Sequence, residues 1–178
     1  MDLSCELADG IILRPVHAAD AGPLAEALQA NRSHLAPWEP ARAEEFCTVE
    51  GQREVIRRRQ ADLESGTALS MVLTGGDGIL GLLTLSSIVR GAFQNAHVGY
   101  WIAQSVQGRG LMTAAVAAAV GIAKDGLGLH RLEAATLVRN AASQRVLEKN
   151  GFEAYGTARA YLRIAGQWQD HRIYQRLL

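Results

Sequence analysis

A polar segment with two glycines, residues 107–110, has the clearest capacity in this sequence to bind an anion. From Met112 to Ala119 the sequence is alanine-rich, which favours a helix. The first N–H groups of a helix lack internal partners and carry a partial positive charge. Gly108 and Gly110 have no Cβ, so a ligand can approach the backbone closely. The segment therefore predicts a site for a phosphate or pyrophosphate.

This segment differs from two common nucleotide-binding loops. It lacks the third glycine of the dinucleotide fingerprint, and no Gly-Lys-Ser/Thr occurs in the chain. Two glycines before a helix are also common in loops that bind nothing, so the segment alone does not identify a ligand.

A second helix start follows the first one. Asn140 and Ser143 are three residues apart, so their side chains share one face of the predicted helix 140–150. A hydroxyl at this position can donate to an anion that the helix dipole favours, such as a thiolate. Asn at the cap with Ser three residues later is equally the pattern of an ordinary helix start.

Trp38 and Glu39 lie between two prolines, in a segment predicted to be stiff and irregular. Trp38 either covers the core or forms the wall of a substrate pocket. Glu39 is either a surface charge or a functional carboxylate.

The composition indicates one globular domain, residues 1–178, in the cytoplasm. Apolar residues make up 48% and charged residues 20% of the 178 residues, and 18 basic residues balance 18 acidic ones. This balance gives no global field that would attract DNA or a membrane. Cys5 and Cys47 form neither a disulfide framework nor a metal-binding pattern, and no apolar run is long enough to span a bilayer.

The elements that must position these residues alternate along the chain and predict an α+β fold with a mixed central sheet. We predict seven strands, at 10–15, 68–73, 79–85, 97–102, 131–137, 153–160 and 169–177. A glycine-rich hairpin turn is expected at 75–78, and helices are expected to end near Ala30 and to begin at Thr48, Met112 and Asn140.

The helix that begins at Thr48 has an apolar stripe formed by Val49, Ile56 and Leu63. Its other side is basic, and we interpret this side as solvated rather than as an RNA-binding surface. The residues assigned to it are Arg53, Arg57, Arg58 and Arg59.

Several segments together resemble the GNAT superfamily, in particular N-acetyltransferases of the RimJ/RimL type, with the greatest likeness to the RimJ group that acetylates a ribosomal protein's N-terminal alanine. Met112 departs from the Gly/Ala of the family loop, but its backbone amide is equivalent. The matching segments are Asn31-Arg-x-x-Leu-x-Pro-Trp-Glu-Pro40, Val89-Arg-Gly91, Gly99-Tyr100, Gln107-Gly-x-Gly-Leu-Met112, His130-Arg131, Asn140-x-x-Ser143, Gly151-Phe-Glu153 and Tyr161 to His171.

The resemblance implies the GNAT fold, with a sheet of about seven strands, helices on both faces and a V-shaped cleft between strands 97–102 and 131–137. It implies acetyl-CoA as co-substrate and no metal. Main-chain groups of strand 98–102 would hold the pantetheine arm, and amides from Gln107 to Met112 would hold the pyrophosphate. The cofactor-binding residues implied are Val98, Tyr100, Ile102, Gln107, Gly108, Arg109, Gly110, Leu111, Met112, Thr113, Asn140 and Ser143.

The resemblance also implies direct acetyl transfer without an acyl-enzyme. Ser143 would donate or relay a proton to the departing sulfur, and Glu39 or, second, Glu133 would accept the proton of the amine. Tyr155 and Ala114 stand where the family often has acids, which leaves the base open. The substrate-binding residues implied are Trp38, Glu39, Tyr161 and Trp168, and core packing is the alternative for the aromatic ones.

Three acceptor hypotheses follow from the resemblance. The first is the N-terminal alanine or serine of a protein, such as a ribosomal protein. The second is a small amine such as an amino acid, a polyamine or an antibiotic. The third is a coenzyme-binding ribosome-assembly factor with minor catalysis. A monomer or a homodimer is expected in each case.

Overall fold

An eight-stranded mixed sheet is the centre of the computed structural model, which describes residues 3–76 and 78–178. Its spatial order is β1-β2-β3-β4-β5-β6-β8-β7, and every neighbouring pair is antiparallel except β5 and β6. The strands are β1 (Cys5–Glu6), β2 (Ile12–Pro15), β3 (Leu69–Gly75), β4 (Gly78–Val89), β5 (Asn95–Ile102), β6 (Arg131–Leu137), β7 (Glu153–Ile164) and β8 (Gln167–Leu177).

The sheet has one strand more than the seven predicted from the sequence. The additional strand, β1, has two residues and pairs with β2 at the edge. The predicted strands 79–85 and 153–160 continue to Val89 and Ile164, and the predicted hairpin between β3 and β4 is confirmed by the pairing of Gly75 with Gly78. Asp77 of this turn lies outside the described residues.

Helices cover both faces of the sheet, as predicted. Leu24 and Ile56 pack against Val72 and Leu82 on one face, whereas the alanine-rich helix α4 packs into the main core on the other. The helices are α1 (Ala21–Ala30), α2 (Arg32–Leu35), α3 (Val49–Glu64), α4 (Leu111–Gly121) and α5 (Ala141–Lys149).

The pairing of β5 with β6 stops after three residues. Asn95, Ala96 and His97 pair with residues 131–133 of β6. Beyond this point β5 continues beside β4 as far as Ile102, and β6 continues beside β8 as far as Leu137. The two strands therefore separate, and the predicted V-shaped cleft lies between residues 98–102 and 134–137.

The contact of β4 with β5 leaves no room for a side chain at Gly81, which yields the first prediction. A Cβ at this position would lie 2.7 Å from the main-chain oxygen of Trp101. We expect Gly81→Ala to lower the free energy of unfolding by about 1–3 kcal/mol, measured by urea denaturation, because rigid backbone must move.

Gly121→Ala is the matched control for this prediction. Apart from the adjoining residues and the backbone of its own helix, its new methyl group meets no described atom within 4 Å, and Gly121 has a helical φ of −61°. It is expected to stabilise the protein by about 0.5–1 kcal/mol. Equal effects of the two substitutions would contradict the steric explanation.

Candidate functional site

The N-terminus of α4 presents unpaired backbone amides, as the sequence predicts. Gly108 and Gly110 have φ of 75° and 79°, and apart from the adjoining residues no described atom lies within 4 Å of the position of a Cβ on either. The first helical hydrogen bond runs from the N–H of Ala114 to the carbonyl of Gly110, at 3.0 Å. The amides of residues 108–113 thus lie before the helical hydrogen-bond ladder and are available to an anion.

The amide of Gln107 is not available, contrary to expectation. It donates to the carbonyl of Gln104 at 3.2 Å, because the short helix Gln104–Val106 precedes it. The side chain of Gln107 instead lies 3.1 Å from the Nε2 of His34. Arg109 is exposed and forms an ion pair with Asp9 at 2.9 Å.

Residues 111–113, which form the first turn of α4, differ in which of their groups can face a ligand. The side chains of Leu111 and Met112 are buried in the core, so only their main chain faces the cleft end of the helix. The carbonyl of Thr113 accepts a hydrogen bond from Asn150 at 3.1 Å, which ties α4 to α5.

Ser143 lies at the start of α5, in contact with β5. Asn140 caps the helix by accepting from the N–H of Ser143 at 3.1 Å, so the predicted cap is confirmed. The hydroxyl of Tyr100 is 3.0 Å from the Ser143 hydroxyl and 3.2 Å from its carbonyl oxygen. This contact joins β5 to α5 at the open part of the cleft.

Tyr100 stays protonated at neutral pH. Burial raises the pKa of its phenol to about 12, although the hydrogen bond with Ser143 acts in the opposite direction. The side chain of Val98 is buried in the core, and that of Ile102 packs against it and is partly buried. Only the main chain of these two residues therefore faces the cleft.

Glu39 lies on the face of β5 opposite to Ser143, in a cavity of about 230 Å³ that we call the Glu39 cavity. The cavity is lined by residues 99–101 of β5 and by Arg42, Gln52 and Arg59, among others. Burial raises the pKa of the Glu39 carboxyl, and the charges of Arg42 and Arg59 partly offset this effect. A half-buried carboxylate beside the open strand is suited to accept a proton.

Glu133 is elsewhere, at the closed end of the cleft, and it does not line the Glu39 cavity. Its carboxylate accepts hydrogen bonds from Tyr155 and Asn95, both at 3.0 Å, and lies 3.6 Å from the Nε2 of His97. Burial, followed by the contact with Glu133, raises the pKa of the Tyr155 phenol.

The three aromatic residues assigned to the acceptor pocket are not part of the core, so core packing is excluded for them. Trp38 is 37% exposed, with the guanidinium of Arg139 5.4 Å from its ring centre. Tyr161 is 39% exposed and lies beside His171, whereas Trp168 is 66% exposed. None of the three lines the Glu39 cavity.

The assignment of Arg59 to a solvated basic face is wrong. Arg53, Arg57 and Arg58 are exposed and pair with Glu50 or Glu54 as expected on a helix surface. Arg59 turns inward, since it lies three residues after Ile56 and seven after Gln52, on the buried side of α3. The polar Gln52 on the same side as Ile56 is the signal in the sequence that could have identified this inward-facing position.

Two further observations limit the kinds of site. Among residues 3–76 and 78–178, no three His, Cys, Asp or Glu side chains are grouped in a way that could hold a metal ion. Within the same ranges, no helix has the length and apolar character needed to cross a bilayer.

Comparisons with known proteins agree with this geometry. The acetyltransferase (GNAT) domain family matches residues 11–153. "Probable N-acetyltransferase YjcK" of Bacillus subtilis (strain 168) is 38% identical over 165 residues, 92% of this chain and 91% of that protein. "[Ribosomal protein uS5]-alanine N-acetyltransferase" of Escherichia coli (strain K12) is 37% identical over 165 residues, 92% of this chain and 85% of that protein.

A solved structure is similar along most of its length. Mycobacterium smegmatis RimJ in complex with CoA-disulfide superimposes with a TM-score of 0.90 at 31% identity, covering 94% of this chain and 81% of that chain.

The raised pKa of Glu39 yields a prediction about stability. A carboxyl whose pKa is higher in the folded state contributes stability at low pH that is lost as the pH rises through that pKa. Gln is neutral at every pH. The free energy of unfolding of Glu39→Gln minus that of the wild type is therefore expected to increase from about pH 4 to about pH 7 in urea titrations.

Glu26→Gln, at an exposed position of α1, serves as the control. Its difference from the wild type is expected to stay nearly constant over the same range. A difference for Glu39→Gln that falls with pH would show that the carboxylate is stabilised rather than desolvated.

Proposed function

This chain belongs to the GNAT acetyltransferase family, as an acetyl-CoA-dependent N-acetyltransferase, and we propose that its acceptor is the N-terminal alanine or serine of a ribosomal protein. The observation that carries the choice of acceptor is the 37% identity to the Escherichia coli uS5-alanine enzyme over 92% of this chain. We further propose that residues 1–178 act as one domain, in the cytoplasm, where ribosomal proteins are made.

The cleft fits the coenzyme in three respects. The gap between β5 and β6 offers main-chain groups of Val98, Tyr100 and Ile102 to a pantetheine arm. The amides of residues 108–113 are free for a pyrophosphate, with the side chains of Gln107 and Arg109 at the rim. Asn140 and Ser143 lie at the start of α5 beside Tyr100. Bound acetyl-CoA supplies the acetyl group as a reactive thioester.

Glu39 is the proposed proton acceptor. An α-amino group has a pKa near 8, so a useful fraction is neutral at pH 7 and only one proton must leave as the amine attacks. Within the described chain, the Glu39 carboxylate makes no hydrogen bond or ion pair, whereas the Glu133 carboxylate already accepts from Tyr155 and Asn95. This difference favours Glu39 over Glu133.

Ser143 is the proposed hydrogen-bond donor to the departing sulfur. A tyrosine with a pKa of about 12 is a much weaker acid than a thiol with a pKa of about 8.5, so Tyr100 does not give up its proton. Tyr100 donates its one hydrogen to the Ser143 carbonyl or to the Ser143 hydroxyl oxygen, and in both arrangements the Ser143 hydrogen can point at the sulfur. The thiolate is stabilised where it forms and then takes its proton from water.

Trp38, Tyr161 and Trp168 are the proposed outer contacts of the acceptor chain. All three are exposed aromatic side chains. The N–H of Ala165, in the turn between β7 and β8, donates to the carbonyl of Glu39 at 3.0 Å, so this hairpin lies beside the Glu39 segment. A peptide leaving the Glu39 cavity would meet these aromatic surfaces.

Ser143→Ala tests the role of the hydroxyl. We expect kcat to fall by about 10²-fold or more, because a preorganised donor to developing charge is lost. The affinity for coenzyme A is expected to stay within about threefold, since the cap of α5 uses the main chain of Ser143. Ser33→Ala, on the exposed side of α2, is the control, and an unchanged kcat in Ser143→Ala would remove Ser143 from the mechanism.

A panel of acceptors tests the proposed substrate. Thiol release from acetyl-CoA is measured with short peptides that start with alanine, serine or methionine, and with polyamines, amino acids and aminoglycosides. Turnover of the alanine and serine peptides above all others is the expected result. Preference for a small amine would overturn the proposed acceptor while leaving the acetyltransferase assignment in place.

A further inference from the structure

The Glu39 cavity contains buried polar atoms that the protein leaves without partners. The side chain of Gln52 is fully buried, and its Nε2 donates to the carbonyl of Phe46 at 2.6 Å. Its Oε1 has no partner among the described residues, and neither has the buried Nη1 of Arg59. One acceptor and one donor therefore remain unsatisfied in a cavity that both residues line.

The charges in this cavity are unbalanced as well. Two guanidinium groups, from Arg42 and Arg59, face one carboxylate, that of Glu39. Burial lowers the pKa of Arg59, and the like charge of Arg42 lowers it further, whereas Glu39 acts in the opposite direction. Arg42 is held over the ring of Phe46, 4.5 Å from its centre. The cavity thus has an excess positive charge, of which the part on Arg59 is disfavoured by burial. Arg42 is exposed to solvent at the edge of the cavity.

An unpaired buried donor and an unpaired buried acceptor cost free energy unless a ligand supplies the missing partners. A ligand that satisfies both atoms brings an N–H or ammonium group for Gln52 and an acceptor oxygen for Arg59, and an anionic oxygen also offsets the charge of the guanidinium. Arginine forms charge-assisted, often bidentate hydrogen bonds with carboxylates. Residues 99–101 place the same cavity beside the open strand, where an acceptor amine would meet the acetyl group.

We propose that the Glu39 cavity selects acceptors that carry a carboxylate close to the reacting amine, with Arg59 and Arg42 as its partners and Gln52 accepting an acceptor N–H. This inference rests on the proposed function and narrows its substrate class. The carboxylate belongs either to an Asp or Glu side chain near the start of a protein or to the α-carboxyl of a free amino acid. Polycations are disfavoured because the cavity already has excess positive charge.

Paired acceptors test the proposal. In the first set, C-terminally amidated peptides that start with alanine carry either Glu or Gln at position two, three or four. In the second set, turnover of the free amino acid alanine is compared with that of alaninamide, which lacks the carboxylate. We expect at least one acidic peptide to exceed its Gln partner by about tenfold or more in kcat/KM, which corresponds to about 1.4 kcal/mol. Moving the Glu to position eight is expected to abolish the advantage.

Variants of α3 assign the preference to Arg59. Arg59→Gln is expected to reduce the Glu-to-Gln ratio to about one, whereas Arg59→Lys keeps the charge and retains part of the ratio. Arg58→Gln removes the neighbouring charge from the solvent side of the helix and is expected to leave the ratio unchanged. Affinity for coenzyme A is measured in parallel, and a tenfold loss in Arg59→Gln would assign the arginine to the coenzyme and overturn the proposal.

The outcomes separate this inference from the proposed function. Equal turnover of Glu and Gln peptides by the wild type would overturn the inference and leave the N-terminal acetyltransferase intact. Acetylation of alanine in preference to alaninamide, with no peptide turnover, would support the carboxylate site and overturn the protein acceptor. Silence with every acceptor would overturn both. The wild-type ratios decide the question even if Arg59→Gln fails to fold.

Discussion

The cleft exists because two neighbouring parallel strands, β5 and β6, form hydrogen bonds along only part of their length. β5 and β6 pair over three residues and then diverge, although each remains bonded to its other neighbour. Backbone groups inside a protein are nearly always paired, so a strand edge opened in the middle of a sheet calls for another partner. The free amides at the start of α4 and the Ser143 hydroxyl lie around the same opening.

The residues with proposed chemical roles lie on the two opposite faces of β5. Even-numbered residues such as Tyr100 point toward the main core and α5, and the hydroxyl of Tyr100 meets Ser143 there. Trp101 points toward α1 and α3, on the face where the Glu39 cavity lies. Because successive side chains of a strand point to opposite faces, β5 separates Glu39, the proposed proton acceptor, from Ser143, the proposed hydrogen-bond donor to the sulfur. The different environments follow: Tyr100 is kept neutral, and Glu39 lies among cations.

Sequence analysis predicted the parts of this arrangement that depend on local pattern. Gly108 and Gly110 before an alanine-rich helix, and Asn140 before Ser143, signal helix starts through backbone chemistry that is independent of the rest of the fold. The resemblance added the cleft, which no local pattern predicts because strand separation is a tertiary property. Arg59 was misassigned because four arginines on one helix suggest a solvated face, and only the position of α3 over the sheet shows which of them turns inward. The sequence likewise does not show that the amide of Gln107 already donates a hydrogen bond to the carbonyl of Gln104 in the preceding turn.

The separation of β5 and β6 also affects the resistance of the protein to aggregation and proteolysis. An exposed strand edge is a template for pairing with another chain, and natural proteins usually cover or shorten such edges. Here the edge lies in the interior of the sheet, and a co-substrate bound at the proposed site would cover it. A ligand that binds only the folded state stabilises it in proportion to the logarithm of its concentration. Resistance to aggregation and to proteolysis would thus rise with the concentration of coenzyme A.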